Sequence, residues 1–153
     1  MTPRTRWAIA ASAIGVLIVI GALAWLGASA EPTKPYPNSA SLVTRGKSVY
    51  TLQCASCHGT NLEGQPNWRE RLPNGRLPAP PHDATGHTWH HSDRRLFDMV
   101  KNGTAGVMPG YETDMPAYKD NLSDPDIWAV LSFIESMWPA DIRERQQRMN
   151  RQK

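Results

Sequence analysis

Cysteine is scarce in this sequence, and strand-like and repeated patterns are missing from it. The chain has 153 residues and two cysteines, Cys54 and Cys57. A structural zinc site takes four ligands and usually includes a second cysteine pair, so these two alone do not supply one. No segment shows a convincing strand pattern, which disfavours the alternating strands and helices around a thioredoxin-like disulfide. The sequence therefore predicts an all-α domain in which both thiols serve another purpose.

Charge is nearly balanced once the two ends of the chain are set aside. The whole chain has 17 basic and 14 acidic residues, but residues 31–138 hold 10 basic and 12 acidic ones. No surface for nucleic acid is predicted from this balance. Residues 139–153 carry five basic and two acidic residues. This basic C-terminal tail is interpreted either as a solvated helix end or as a segment that contacts anionic lipid or a partner.

Residues 7–30 contain no charged side chain and are rich in aliphatic residues. A helix of this length can cross a bilayer, which takes roughly 20 residues, and the preceding Arg4 and Arg6 predict a cytoplasmic N-terminus. The sequence Ala28-Ser29-Ala30 also fits a signal-peptidase site. We therefore expect residues 1–30 to be a single transmembrane anchor or a cleaved signal segment. In both cases the rest of the chain is expected in the periplasm.

Three prolines make residues 31–39 an extended linker, and the domain is predicted at residues 40–138. Apolar residues at helical spacing, with serine or aspartate caps before the later two segments, predict three helices. These are Ser41–Gln53, with Leu52 among its apolar positions; Ser92–Asn102, followed by a loop that begins at Thr104; and Ser123–Met137. The predicted apolar face of the last helix consists of Ile127, Val130, Leu131 and Ile134. In the tail, Asp141–Gln152 is expected to be a short polar helix or a frayed end.

Between the first two predicted helices lies a long segment, Thr60–Ser92, that is rich in proline and glycine. Loops of this length are uncommon in a compact domain unless they have a function. We expect this loop to wrap a cofactor and use it as part of the core. Its predicted cofactor-packing residues are Trp68, Leu77 and Trp89.

Both cysteines belong to the motif Cys54-Ala55-Ser56-Cys57-His58. Two thiols at this spacing can add to the two vinyl groups of a haem, and the adjacent histidine can bind the iron as the proximal axial ligand. The motif predicts one covalent haem c held by Cys54, Cys57 and His58. Such attachment takes place outside the bacterial cytoplasm, in agreement with the apolar N-terminal segment.

A methionine is the predicted second axial ligand, and two Met-Pro pairs compete for this role. Met115 is preferred because it lies just before the capped final helix and its proline stiffens the loop. Met108 lies among glycines and is less constrained. Methionine ligation favours electron transfer, whereas an open position favours ligand binding or peroxide chemistry. Met99 and Met137 are expected to pack in the core.

Three motifs, in this order, resemble those of monohaem class I c-type cytochromes, including membrane-anchored bacterial ones, and the resemblance covers residues 40–138. They are Cys54–Gly59, Met115–Tyr118 and Leu122–Leu131. The resemblance implies an all-helical fold wrapped around one haem, with the N- and C-terminal helices crossing over it. Gly46 is the expected point of close approach, with Tyr50 and Phe133 nearby.

The resemblance also implies that a proline carbonyl accepts a hydrogen bond from the axial histidine and fixes its orientation. Pro80 and Pro81 are both candidates for this role, and their spacing from His58 does not choose between them.

Four histidines gather in the long loop beside Trp89: His82, His87, His90 and His91. They are interpreted as solvated or backbone-bonded side chains, as a propionate partner or proton-linked modulator, or as a second site for copper or zinc. Three arginines are equally good propionate partners because their charge is permanent. These are Arg69, Arg71 and Arg76.

The predicted function is one-electron transfer in the periplasm between respiratory or dehydrogenase proteins. No substrate site or acid–base pair is evident, so the chain is not expected to be an enzyme itself. One alternative is the cytochrome subunit of a periplasmic dehydrogenase, which would keep the same haem. The other is a haem peroxidase or ligand sensor, which needs an open sixth position and, for a peroxidase, a distal histidine such as His87 or His90.

Overall fold

The computed structural model describes residues 39–151. The helices are α1 (Ala40–Gln53), α2 (Ala55–His58), a 3-10 helix (Thr88–His90), α3 (Asp93–Val107), α4 (Asp124–Ser136) and α5 (Ala140–Asn150). This part of the chain contains no β-strand, so the all-α prediction is confirmed for it. The predicted anchor or signal segment, residues 1–30, lies outside the described residues, as does most of the linker. None of the helices within 39–151 is long and apolar enough to cross a membrane.

Helices α1 and α4 touch at Gly46, as the resemblance implied. A Cβ atom on this residue would lie 2.0 Å from the carbonyl oxygen of Ala129 and 2.9 Å from the Cβ of Phe133. Only glycine leaves room for the two backbones to approach this closely. One turn further along α1, the ring of Tyr50 packs on Phe133 with a centroid distance of 5.4 Å. The predicted neighbours of the close approach are therefore confirmed.

Helix α4 forms the centre of the core and begins at the predicted cap. The Ser123 hydroxyl accepts the N–H of Asp126, and proline lies in the first turn. Every residue of Ile127–Glu135 is buried, because α1 covers one side of the helix and α3 another. The four predicted core positions are confirmed: Ile127, Val130, Leu131 and Ile134. The burial extends around the whole helix rather than along one face.

Helix α3 departs from the sequence prediction at its end. Gly103 has a φ of 72° and interrupts the regular helix where the end was predicted, but a further turn continues to Val107. The expectation that a loop begins at Thr104 is therefore wrong for this turn. A Cβ on Gly103 would lie 3.1 Å from the backbone nitrogen of Ala117, so the kink brings α3 against the loop that contains Met115.

The C-terminal segment forms α5 and packs on the rest of the domain, which confirms the helical alternative for residues 140–150. Gln146 is fully buried, and its amide donates to the carboxylate of Asp93 at the start of α3. Trp138 is 2% exposed, whereas Met137 is 56% exposed. The core position predicted for Met137 is wrong because this residue follows the end of α4 and its side chain faces outward. Leu52, predicted as an apolar position of α1, is 79% exposed.

Candidate functional site

Both cysteines lie where α1 gives way to the short α2. The N–H of Cys54 donates to the carbonyl of Tyr50 and continues the hydrogen bonding of α1. The carbonyl of Cys54 then accepts the N–H groups of Cys57 and His58 at 3.1 and 2.9 Å. This tight turn holds both thiols and the imidazole on one short segment. No disulfide joins the two cysteines, and Cys54 is half-buried whereas Cys57 is exposed.

The thiol chemistry does not match that of a redox disulfide. Burial raises the pKa of Cys54 to about 11, and the neighbouring Cys57 adds to the increase. The reactive cysteine of a disulfide oxidoreductase has a lowered pKa, because the thiolate is the nucleophile. Burial of Cys54 acts in the opposite direction, which disfavours the redox-disulfide interpretation of this pair.

His58 is buried and oriented by the backbone of the long loop. Its Nδ1 lies 2.8 Å from the carbonyl oxygen of Pro80, so Nδ1–H donates and Nε2 keeps its lone pair. Burial lowers the pKa of His58, although the bond to Pro80 acts in the opposite direction. The imidazole is therefore in the neutral form that binds metals. The geometry also selects Pro80 rather than Pro81 as the acceptor.

Hydrogen bonds between the two ends of the long loop position the Pro80 carbonyl. The N–H of Gln65 donates to the carbonyl of Ala79 at 2.9 Å, and the N–H of His82 donates to that of Leu62 at 2.8 Å. Leu62 is 1% exposed and belongs to the same core cluster as Tyr50. The loop thus folds back along the segment that follows His58 and is anchored in the core.

Met115 is fixed by contacts on both sides. Its Sδ lies 3.4 Å from the hydroxyl of Thr104, which donates to it, and its N–H donates to the hydroxyl of Thr113. Further along the same loop, the Tyr118 hydroxyl donates to the carbonyl of Gln53 at 2.8 Å, directly before the first cysteine. The loop that carries Met115 is therefore tied to α3 and to the helix that leads into the cysteine motif.

Met108, the alternative ligand, caps the end of α3. Its N–H donates to the carbonyl of Thr104 at 2.9 Å, and its own carbonyl accepts the N–H of Tyr111. Both methionines are partly buried. The choice of Met115 as iron ligand remains a prediction, supported by the fixed geometry of its loop.

The four loop histidines are engaged in different ways. The His82 ring stacks on His58 with a centroid distance of 3.9 Å. His87 stacks on Trp68 at 5.2 Å, and His90 lies against Trp89 at 3.8 Å. Within residues 39–151, no group of three or more histidine, cysteine or acidic side chains is arranged to hold a metal ion. The proposed copper or zinc site therefore has no support in the described part of the chain.

The three arginines of the loop all have contacts within the protein. Arg69 lies over the ring of Trp68 at 4.0 Å, Arg71 donates to the carbonyl of Gly75, and Arg76 pairs with Asp114 beside Met115. Their role as propionate partners remains a prediction.

The site fits the expected cofactor in its donor set and in its burial. Two cysteines that no disulfide joins precede a neutral histidine whose second ring nitrogen is available, and a methionine loop is anchored to the same helix end. The buried indole N–H of Trp89, a predicted haem-packing residue, has no acceptor within the described residues. A buried donor of this kind normally has an acceptor, and a haem carboxylate is one chemical group that accepts such a bond.

Sequence reasoning missed several contributors to this site. Thr104 contacts Met115, Thr88 contacts His82, and the Trp138 indole donates to the His82 carbonyl. Threonine and tryptophan occur in many environments, so nothing in the local sequence singled these residues out.

Comparisons with known proteins agree with this geometry. The family model for Cytochrome c matches residues 43–138. A cbb3-type cytochrome c oxidase subunit CcoP from Azospirillum brasilense is 30% identical over 99 residues, which are 64% of this chain and 29% of that protein. Cytochrome c-555 from Prosthecochloris aestuarii is 28% identical over 85 residues, 52% of this chain and 86% of that protein.

A thiosulfate dehydrogenase from Stutzerimonas stutzeri is 29% identical over 108 residues, covering 70% of this chain and 31% of the enzyme. The chain thus spans less than a third of the oxidase subunit and of the dehydrogenase. The crystal structure of cytochrome CL from Methylophaga aminisulfidivorans superposes with a TM-score of 0.51 at 20% identity. That superposition covers 77% of this chain and 69% of the other, and it supports the fold.

The motif, the geometry around it and the family match agree with one another. The matched range includes the cysteines, the histidine, the long loop, most of α1 and all of α4. The chain belongs to the cytochrome c family, and its cofactor is a covalently bound haem c.

Proposed function

We propose that this chain is a one-electron carrier in which Cys54 and Cys57 bind haem c and His58 and Met115 are the axial ligands. The hydrogen bond from His58 Nδ1 to the Pro80 carbonyl, at 2.8 Å, is the observation on which the proposal chiefly depends. It leaves Nε2 of a neutral, buried imidazole as the ligand atom, one residue after the second thiol. Met115, anchored through its loop, is the best candidate for the opposite side of the iron.

The haem supplies a reversible one-electron couple when it is bound. The protein side chains do the rest: they attach the group, hold both axial ligands and keep water away from the histidine. His58 is 9% exposed, and its direction is set by the Pro80 carbonyl. Met115 is held from α3 by the Thr104 hydroxyl. Two ligands fixed in this way change little between oxidation states, which suits fast electron transfer better than catalysis.

Absorption spectra of oxidised and reduced protein test the ligand assignment. We expect a low-spin spectrum with the near-infrared band of methionine bound to ferric haem. Met115→Ala should lose the band, whereas Met108→Ala, the matched control, should keep it. The opposite pattern would assign Met108 as ligand. A high-spin spectrum in the unchanged protein, or one that shifts readily with carbon monoxide, would favour the peroxidase or sensor alternative.

The location of the carrier is part of the proposal. The uncharged stretch 7–30 after Arg4 and Arg6 supports a membrane anchor with the haem domain in the periplasm, and Ala28-Ser29-Ala30 supports cleavage as the alternative. Cell fractionation combined with intact mass measurement separates the two. A membrane-bound protein of full mass supports the anchor, and a released protein shortened near Ala30 supports cleavage.

A second candidate function is that of a cytochrome subunit in a larger redox complex. It is favoured by the names of two relatives, an oxidase subunit and a thiosulfate dehydrogenase, although the chain spans less than a third of each. Mild solubilisation followed by size-exclusion chromatography of the native protein distinguishes the candidates. Haem absorbance that elutes with a larger dehydrogenase or oxidase activity supports the subunit role, and elution as a small haem protein supports the carrier.

A further inference from the structure

A second histidine ring lies parallel to the proximal one. The rings of His82 and His58 have a centroid distance of 3.9 Å and an interplanar angle of 23°, so their faces are in contact. His58 lies in α2, just before the long loop, and His82 lies within that loop. Their contact depends on the hydrogen bonds that fold the loop back along the segment after His58. Nothing in the cysteine motif requires a ring at this place.

His82 is held from several directions, although it lies in a loop. Its Nδ1 is 2.7 Å from the hydroxyl of Thr88 in the 3-10 helix, and its N–H donates to the carbonyl of Leu62. Its carbonyl accepts the indole N–H of Trp138 at 2.7 Å, and the ring of Tyr50 approaches edge-on at 6.4 Å. The backbone and the ring of His82 are therefore both restrained.

The two contacts of His58 restrain different movements. The bond to the Pro80 carbonyl fixes where Nδ1 points, but a ring held at one atom can still rock about that bond. A parallel ring at contact distance opposes this rocking, because any tilt of one ring drives it into the other. Together the contacts with Pro80 and His82 define both the direction and the plane of the imidazole.

We propose that His82 is a positioning residue that fixes the plane of the His58 imidazole against the haem iron. This inference depends on the proposed function, since it takes His58 as the proximal ligand. Contacts in the outer shell of a metal site orient its ligands and tune the metal. For a histidine ligand, the plane of the ring determines how its π orbitals meet those of the iron, so the role of His82 is visible in the spectrum of the ferric haem.

The test is electron paramagnetic resonance of the purified ferric holoprotein, together with its reduction potential. The variants are His82→Leu, which removes the ring, His82→Phe, which keeps an aromatic face, and Thr88→Val, which keeps the ring but removes its anchor. Thr85→Val is the control, because Thr85 is exposed in the same loop and its hydroxyl bonds to Asp83 rather than to His82.

We expect the low-spin signal of His82→Leu to broaden and its g values to shift, since the imidazole then samples more than one plane. His82→Phe should restore most of the sharp signal, Thr88→Val should show a smaller shift in the same direction, and Thr85→Val should match the unchanged protein. The reduction potential should follow the same order.

Unchanged g values and line width in both His82→Leu and Thr88→Val would overturn the positioning role, even if thermal stability falls. If His82→Leu does not yield folded holoprotein, Thr88→Val provides the test. A shift of its g values supports the positioning role of His82, and unchanged g values overturn it. Failure of the proposed function has a different signature, because the unchanged protein would then lack a low-spin signal from a histidine-ligated haem.

Discussion

The hydroxyl of Thr104 donates a hydrogen bond to the Sδ of Met115, with 3.4 Å between the two atoms. The contact exists because α3 kinks at Gly103 and continues for one turn, which turns Thr104 toward the methionine loop. A hydroxyl that donates to a thioether withdraws electron density from the sulfur. If Met115 is the iron ligand, as proposed, one sulfur lone pair would bind the iron while the other accepts this bond, so the contact would act on ligand strength.

Replacing Thr104 by valine keeps the shape of the side chain and removes the donor. We expect a lower reduction potential, because the freed sulfur donates more strongly and stabilises ferric iron, with an effect smaller than that of Met115→Ala. Redox titration of the purified holoprotein measures it. Thr44→Val, on the exposed side of α1, is the control and should leave the potential unchanged. A potential in Thr104→Val equal to that of the unchanged protein would show that the bond does not act on the ligand.

Gly46→Ala tests the close approach of α1 and α4. The new Cβ would lie 2.0 Å from the Ala129 carbonyl oxygen, so the two helices must separate. Overpacking of this kind costs about 1–3 kcal/mol of unfolding free energy. Chemical denaturation of the holoprotein followed by circular dichroism measures the change. Ser48→Ala, in the same helix but exposed, should change stability little, and a similarly small effect of Gly46→Ala would contradict the packing described.

The carboxylate of Asp126, in the first turn of α4, makes the stability of the protein depend on pH in the acid range. The hydroxyl of Ser123 and the guanidinium of Arg45 hold the pKa of Asp126 below its usual value, with the Ser123 bond the larger cause. The unfolded chain therefore binds a proton more readily than the folded one. The ionised carboxylate of Asp126 therefore stabilises the folded state fully above the ordinary aspartate pKa of about 4, and this stabilisation is lost as the pH falls below that value.

We accordingly expect Asp126→Asn to be less stable than the unchanged protein at neutral pH and to lose less stability on acidification. Unfolding free energies measured from neutral pH into the acid range give the slope of stability against pH for each protein. Asp120→Asn, at an exposed loop position, serves as the control and should keep the slope of the unchanged protein. Parallel curves for Asp126→Asn and the unchanged protein would show that Asp126 does not contribute to the acid dependence.

Each cysteine is expected to contribute one thioether bond to the haem. Cys54→Ala and Cys57→Ala should each keep haem through the remaining bond, with reduced yield, and the double variant should lose covalent haem. Haem-stained denaturing gels measure the covalent fraction. Ser56→Ala, between the two cysteines, should stain like the unchanged protein. A stained band for the double variant would exclude attachment through these thiols.

The local parts of the site were predictable from the sequence because their physical causes are local. The Cys54–His58 motif defines its own turn, and Ser123 caps the helix that follows it. Each of these features is decided within a few residues of the chain. The close approach at Gly46 was implied by the family resemblance instead, because it is a contact with Ala129 in α4.

The remaining features depend on tertiary contacts. Pro80 and Pro81 are adjacent, and only the pairing of the loop ends, Leu62 with His82, determines which carbonyl reaches His58. Met137 and Trp138 are adjacent as well, and the direction of the chain after α4 buries the second and exposes the first. The hydrophobic pattern of the sequence does not show which of two adjacent residues makes such a contact.

Trp138 ties the end of the family-matched segment to His82 across 56 residues of chain. Contacts between residues so far apart form late in folding, because closing a long loop costs entropy before the contact is made. Trp138→Phe, which keeps the ring but removes the indole N–H, is expected to speed unfolding in stopped-flow experiments and to leave the folding rate nearly unchanged. That result would mean that the indole governs how long the loop stays closed over His58 rather than how quickly it closes, so the lifetime of the folded state would depend on one hydrogen bond far along the chain from the cysteines.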